Sequence, residues 1–272
     1  MRDFFDKRPV QLYIALVLGL LLFGVLARPA VQFVLPDLSM MGLRVTINWL
    51  FVVLVVGLVA LLSWWGKVRL TAPIAAGGQR YLLVLMALIA VPMLVTVLLV
   101  PDPFAVPDWT FLKGQELSAV AIALMVVVGL ALGAAISEEL LYRGVVLRSL
   151  ESYGRVTAAV ASSVLFGVAH LSLLAVGVSL TEVLVVAALS MAVFFGLAAI
   201  TFRIGALWPL VVWHFLQDSG PAFLTAQAVE VYLVVNVLFA IGLAILGAWL
   251  LWTDRDQPVI ENSQAEQPSR PA

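Results

Sequence analysis

Ser137-Glu138-Glu139-Leu140-Leu141-Tyr142-Arg143-Gly144 follows directly on about twenty mostly apolar residues, Leu117 to Ile136. That run is long enough to cross a membrane as a helix. Two adjacent carboxylates and a guanidinium at the end of such a helix are costly. An acid or base at the bilayer centre costs roughly 2.5–3.5 kcal/mol on insertion scales, and intramembrane ionisable groups are functional candidates by default. Glu139 and Arg143 stand four apart, share a helix face and can pair. Glu138 is turned about 100° away from Glu139 and is free of that pair. His170 and His214, the two histidines of the chain, also lie inside apolar helical runs.

Composition sets the class. Sixty-three per cent of the 272 residues are hydrophobic and eleven per cent charged, with a mean hydropathy of +1.11. The fold class expected is all-α, a polytopic membrane bundle of about eight helices. A net charge of −1 without a basic stripe gives no footing for nucleic acid. The absence of cysteine removes disulfides, thiol nucleophiles and Cys-ligated metals, and two histidines limit any imidazole metal site to two His ligands.

Working outward from the opening stretch, the spacing predicts three spans before it: Val10 to Ala27, Val45 to Trp64 and Tyr81 to Val100. The first is longer than a signal-peptide core and is read as a retained helix. Trp64-Trp65 suits an interface. Pro92 is expected to kink the third span. Pro101, Pro103 and Pro107 mark an irregular loop. The fourth span continues as an amphipathic helix to about Ser152, where Gly154 breaks it. Then come Val156 to Leu174, Val183 to Phe202 behind a Ser179–Glu182 capping box, a short seventh from Ile204 to Gln217 interrupted by Pro209, and an eighth from Val229 to Trp252. The organisation read is residues 1–116 for the first three helices, 117–219 as the chemical core, 220–252 for the last span, and 253–272 as a disordered tail.

Twelve of the fifteen Lys and Arg fall in the amino terminus, the loops after spans two, four and six, and the tail. The other loops hold Arg28, Arg44 and Lys113. This imbalance predicts that both termini are cytoplasmic and that the Glu138–Arg143 stretch lies near the cytoplasmic face.

His214 and Asp218, four apart, occupy one face, and a neighbouring carboxylate can orient an imidazole or take its proton. Taken singly, His170, the His214–Asp218 pair and the Glu139–Arg143 pair each have a bland reading as interhelical hydrogen bonds or an interfacial ion pair. Together, a carboxylate and two imidazoles from three helices suffice to deprotonate a water and stabilise an oxyanion. They also suffice to hold one metal, with zinc as the candidate, through His170, His214 and a carboxylate such as Glu138, and lower the pKa of its bound water. Both routes end in acyl-bond hydrolysis. Ser162 and Ser163 read as packing hydroxyls, and no Gly-x-Ser-x-Gly, phosphate-cradling or His-Glu-x-x-His stretch is present. Glu182 and Arg203 read as solvated or headgroup-facing helix ends. Rival readings are a transporter or proton relay using the same groups, and an inactive membrane scaffold; the paired broken helices of a transporter are not evident.

At these residues the sequence resembles the CAAX protease and bacteriocin-processing (Abi) family of intramembrane endopeptidases. That family shows Glu-Glu-x-x-x-Arg, Phe-x-x-x-His and His-x-x-x-Asn or Asp on three membrane helices, read here as Glu138-Glu139 with Arg143, Phe166 with His170, and His214 with Asp218. The resemblance spans about residues 117 to 219. It implies a protease in which Glu138 activates water, His170 assists, and His214 with Asp218 stabilises the oxyanion. Family members have been described both as metalloproteases and as glutamate-dependent enzymes. Asp218 in place of Asn implies a protonated acid, action through His214, or a metal-ligand or His-orienting role. The implied partners are membrane lipid and a protein or peptide substrate, prenylated in eukaryotic relatives and bacteriocin-like in bacterial ones.

One geometric tension follows from these boundaries. Ideal straight helices place Glu138 at the end of its span, near the cytoplasmic boundary, whereas His170 lies about 21 Å up from the start of its own. They meet only if span four sits deeper or span five starts later.

Overall fold

The computed structural model describes residues 7–105 and 118–253. The tail beyond Thr253, and the loop positions Pro107 and Lys113, lie outside the described residues. Among the described residues, eight helices of twelve residues or more follow in order: α1 Pro9–Val34, α2 Met40–Leu61, α3 Gln79–Leu99, α4 Ala119–Tyr153, α5 Arg155–Leu174, α6 Leu180–Ile204, α7 Trp208–Ser219 and α8 Ala226–Thr253. Among the described residues no strand forms beyond one antiparallel bridge, Phe104 to Leu224. Seven of the helices are long and apolar enough to cross a membrane. The exception is α7, at twelve residues. Eight spans were expected from hydropathy; the seventh is a short helix packed among the others.

Outward faces are apolar. Leu18, Phe33, Leu98, Val234, Leu238 and Ile245 are all exposed, as helices immersed in acyl chains require. The protein is an integral membrane protein of the all-α, polytopic kind. Buried residues of α4, α5, α6 and α7 converge on one core, including Tyr142, Val145, Phe166, Phe194, Leu197 and Trp213.

Local sequence explains most helix ends. Ser179 and Glu182 form the full reciprocal capping box at the start of α6. Gly154, with φ of +101°, makes the turn between α4 and α5. Pro209 stands in the first turn of α7, where its missing N–H costs nothing. It starts that helix instead of interrupting it. Helix α1 runs on through Pro29 to Val34, beyond the expected end at Ala27. Of the tryptophan pair, Trp65 faces outward while Trp64 is buried beneath the Lys67 ammonium, so one ring alone suits an interface.

The largest departure from expectation lies in α4. It is one 35-residue helix, wound as π-helix over Met125–Leu132 and again over Glu139–Val146. Such wide turns free carbonyls from the regular ladder and are found mostly at functional sites. Neighbouring helices take up the carbonyls. Asn48 of α2 donates to Gly129 and Leu130 at 3.0 and 2.8 Å, and Ser162 of α5 donates to Tyr142 at 2.7 Å. Asn48 can approach because Gly133 faces it; a Cβ there would collide with the Asn48 amide.

This long helix resolves the tension in depth. Glu138 lies fifteen residues before Tyr153, and His170 fifteen residues after Arg155. Counting back along both arms of the α4–α5 hairpin, each is about 22 Å from the Gly154 turn. The acidic stretch is therefore mid-helix, not at the membrane boundary where the hydropathy drop placed it.

Candidate active site

Four helices supply the polar groups. From α4, the Glu139 carboxylate pairs with the Arg143 guanidinium one turn on, and both side chains are fully buried. Burying two charges is tolerated only with close pairing and further hydrogen bonds. Glu139 has both: Nδ1 of His214, on α7, lies 2.8 Å from its Oε1. A carboxylate only accepts, so the His214 Nδ1–H donates. Arg143 also lies 3.7 Å above the ring of Phe194 on α6, a cation–π contact.

With Nδ1 committed, the other edge of the His214 ring faces two more carboxylates. Its Nε2 is 3.6 Å from Glu138 Oε2 and 3.4 Å from Asp218 Oδ2. Glu138 and Asp218 are partly exposed, whereas His214 and Glu139 are buried. The arrangement is thus a buried, charge-paired base beneath an accessible pair of carboxylates. His214 is the link between the two layers.

His170 is placed differently. Its Nδ1 is 2.9 Å from the Phe166 carbonyl. That oxygen accepts, so Nδ1 carries the proton and Nε2 is left as the neutral ring's acceptor. Nε2 faces the Ser190 hydroxyl of α6 at 3.4 Å. The ring stands edge-on to Phe166, which stacks on Phe194; Phe194 in turn meets His214 edge-on. His170 therefore joins the cluster through an aromatic layer. Its hydrogen bonds go to Phe166 and Ser190, and none goes to Glu138.

Of the six residues expected from sequence, Glu138, Glu139, Arg143, His214 and Asp218 form one connected network. His170 approaches from the α5 side. Glu139 was expected to pair with Arg143; its bond to His214 was not legible. Ser190 and Phe194 were missed as well. A serine in the apolar run of α6, followed four residues later by an aromatic, was the available signal. Ser162 and Ser163 donate to backbone carbonyls, of Tyr142 and Ala159 respectively, which is a packing role.

A metal centre needs three or more ligands in reach of one point. Among the described residues no group of three or more His, Cys, Asp or Glu side chains is disposed to hold a metal ion. His214 has only Nε2 left, since Nδ1 is bonded to Glu139, and Nε2 of His170 faces Ser190. The set of Glu138, His170, His214 and Asp218 does not fit as a metal cage.

No curated protein and no solved structure is significantly similar to the chain. Residues 119–220 match the family model described as Rce1-like, type II CAAX prenyl endopeptidase. The match runs from the start of α4 to the end of α7 and takes in Glu138, Glu139, Arg143, Phe166, His170, His214 and Asp218. With it, the segment that carries all three motifs is similar to the type II CAAX prenyl endopeptidases.

Proposed function

We propose that this protein is an intramembrane endopeptidase that hydrolyses a peptide bond of a membrane-associated protein or peptide, with Glu138 as the base. The observation that carries the reading is the setting of His214. One edge is fixed by a buried, arginine-paired glutamate, and the other is turned toward a second, accessible glutamate across 3.6 Å. Polar contacts of that length suit a bridging water.

In the mechanism, a water beside Glu138 attacks the scissile carbonyl carbon and gives its proton to the Glu138 carboxylate. With Nδ1–H held by Glu139, the doubly protonated His214 donates from Nε2–H to the carbonyl oxygen as it becomes an oxyanion, and the Asp218 carboxylate beside Nε2 balances the imidazolium charge. Collapse of the tetrahedral intermediate breaks the C–N bond. Glu138 returns the proton to the leaving amine, and a carboxylic acid and an amine result. Glu139, held by Arg143, fixes the ring orientation of His214 in the manner of a carboxylate behind a histidine. His170, its ring steadied by the Phe166 carbonyl, offers its Nε2 acceptor to the attacking water in exchange for the long 3.4 Å contact with Ser190. Segment 117–219 is the catalytic core, and α1–α3 and α8 are its membrane scaffold.

Both termini are assigned to the cytoplasm. Lys7, Arg8, Lys67, Arg69, Arg80, Arg148, Arg155 and Arg203 all fall at the end of the bundle where α1, α3, α5 and α7 start, which supports that orientation. The substrate is a CAAX-type or other membrane-tethered peptide. Comparison of membrane proteomes from cells making wild-type or Glu138→Ala protein tests the reading. New peptide termini that need the wild-type protein are expected. Identical terminal peptides in the two samples would contradict it.

A further inference from the structure

We propose that a second site, remote from Glu138, binds the headgroup of an anionic phospholipid. A cavity of about 510 Å³ opens where α3 and the ends of α6 and α8 meet, and is lined by Arg80, Tyr81, Val84, Arg203, Trp249, Leu250 and Thr253. The two guanidinium groups come from different helices, α3 and α6. The Arg203 Nη2 donates to the Thr253 hydroxyl at 3.4 Å. Arg80 is exposed and rests 5.0 Å above the Tyr81 ring; among the described residues no carboxylate pairs with it. Two arginines around one cavity are the arrangement that recognises a phosphodiester, since each presents a fork of donors to its oxygens.

The depth of the cavity selects a lipid over free phosphate. Trp249 and Trp252 are 60 and 66 % exposed at the last turn of α8, where tryptophan marks the headgroup level. Below them the exposed face of α8 is apolar at Leu238, Ile241 and Ile245. Val84, Trp249 and Leu250 carry that apolar surface into the cavity wall. A ligand seated between the arginines therefore has a dry path for acyl chains beneath it, and basic pockets of this kind between membrane helices take anionic headgroups.

The test uses the full chain in nanodiscs of equal phosphatidylglycerol and phosphatidylcholine, with retained lipid counted by native mass spectrometry. Wild-type protein is expected to retain phosphatidylglycerol preferentially. Arg80→Gln and Arg203→Gln should each lower that preference about fivefold, and the double variant should nearly abolish it. Arg80→Lys with Arg203→Lys should keep part of it. Lys7→Gln with Arg8→Gln, at the same end of the bundle but outside the cavity, should leave it unchanged. Undiminished preference in the Arg80/Arg203 glutamine variant would overturn the proposal. So would an equal loss in the Lys7/Arg8 variant, which would mean diffuse surface attraction. Displacement of the lipid by inorganic phosphate would assign the cavity to the free ion and also contradict it. Arg80→Gln alone, at an exposed position, keeps the test sound if the double variant folds poorly.

Discussion

His214 Nδ1 donates to Glu139 Oε1 across 2.8 Å, joining α7 to α4 between residues 75 positions apart. The same glutamate carries the Arg143 ion pair. One buried carboxylate thus serves both the charge balance of the core and the aim of the imidazole.

Those two duties separate by mutation. Glu139→Ala leaves Arg143 buried without its counter-charge, at a cost of about 3–5 kcal/mol. Replacing both partners, as Glu139→Ala with Arg143→Met, should recover most of that stability in denaturation of the detergent-solubilised protein. Cleavage by the double variant should still be about 10–100-fold down, because His214 loses its orienting partner. Recovery of full activity in the double variant would assign Glu139 a packing role alone.

Ser162→Ala removes the hydroxyl that donates to the Tyr142 carbonyl in the second π-turn. The carbonyl is left without this partner in a dry core, and the loss should be about 1–3 kcal/mol. Ser163→Ala, whose hydroxyl bonds within its own helix, should cost less. Thermal unfolding of the two variants checks the order.

Metal chelation should leave turnover unchanged, because no three ligands gather among the described residues. Activity lost on adding 1,10-phenanthroline and restored by zinc would contradict this.

Much of the site was legible from spacing within single helices. Glu139 with Arg143, and His214 with Asp218, are four apart, and in an α-helix that alone puts two side chains within reach. Contacts between helices were not legible in this way. Nothing in the run around His214 indicates that its ring turns to Glu139 as well as to Asp218. Hydropathy also misjudged depth. The drop in apolarity at Glu138 reads as the end of a span, yet α4 continues to Tyr153, because Leu140, Leu141, Val145, Val146 and Leu147 are buried against other helices. The π-turns escaped notice because they have no composition of their own. Their traces are Asn48 and Ser162, polar residues on other helices that bond the freed carbonyls.

The account rests on Glu138 as the group that takes the proton from water. Its most direct measurement is the cleavage rate of a membrane-embedded reporter peptide by purified, reconstituted wild-type and Glu138→Ala protein. Glu138 is partly exposed and faces His214 across 3.6 Å, so the variant should fold and insert as wild type does. Its rate should fall by about 10²–10⁴-fold. A folded Glu138→Ala protein that cleaves the reporter at the wild-type rate would contradict the mechanism.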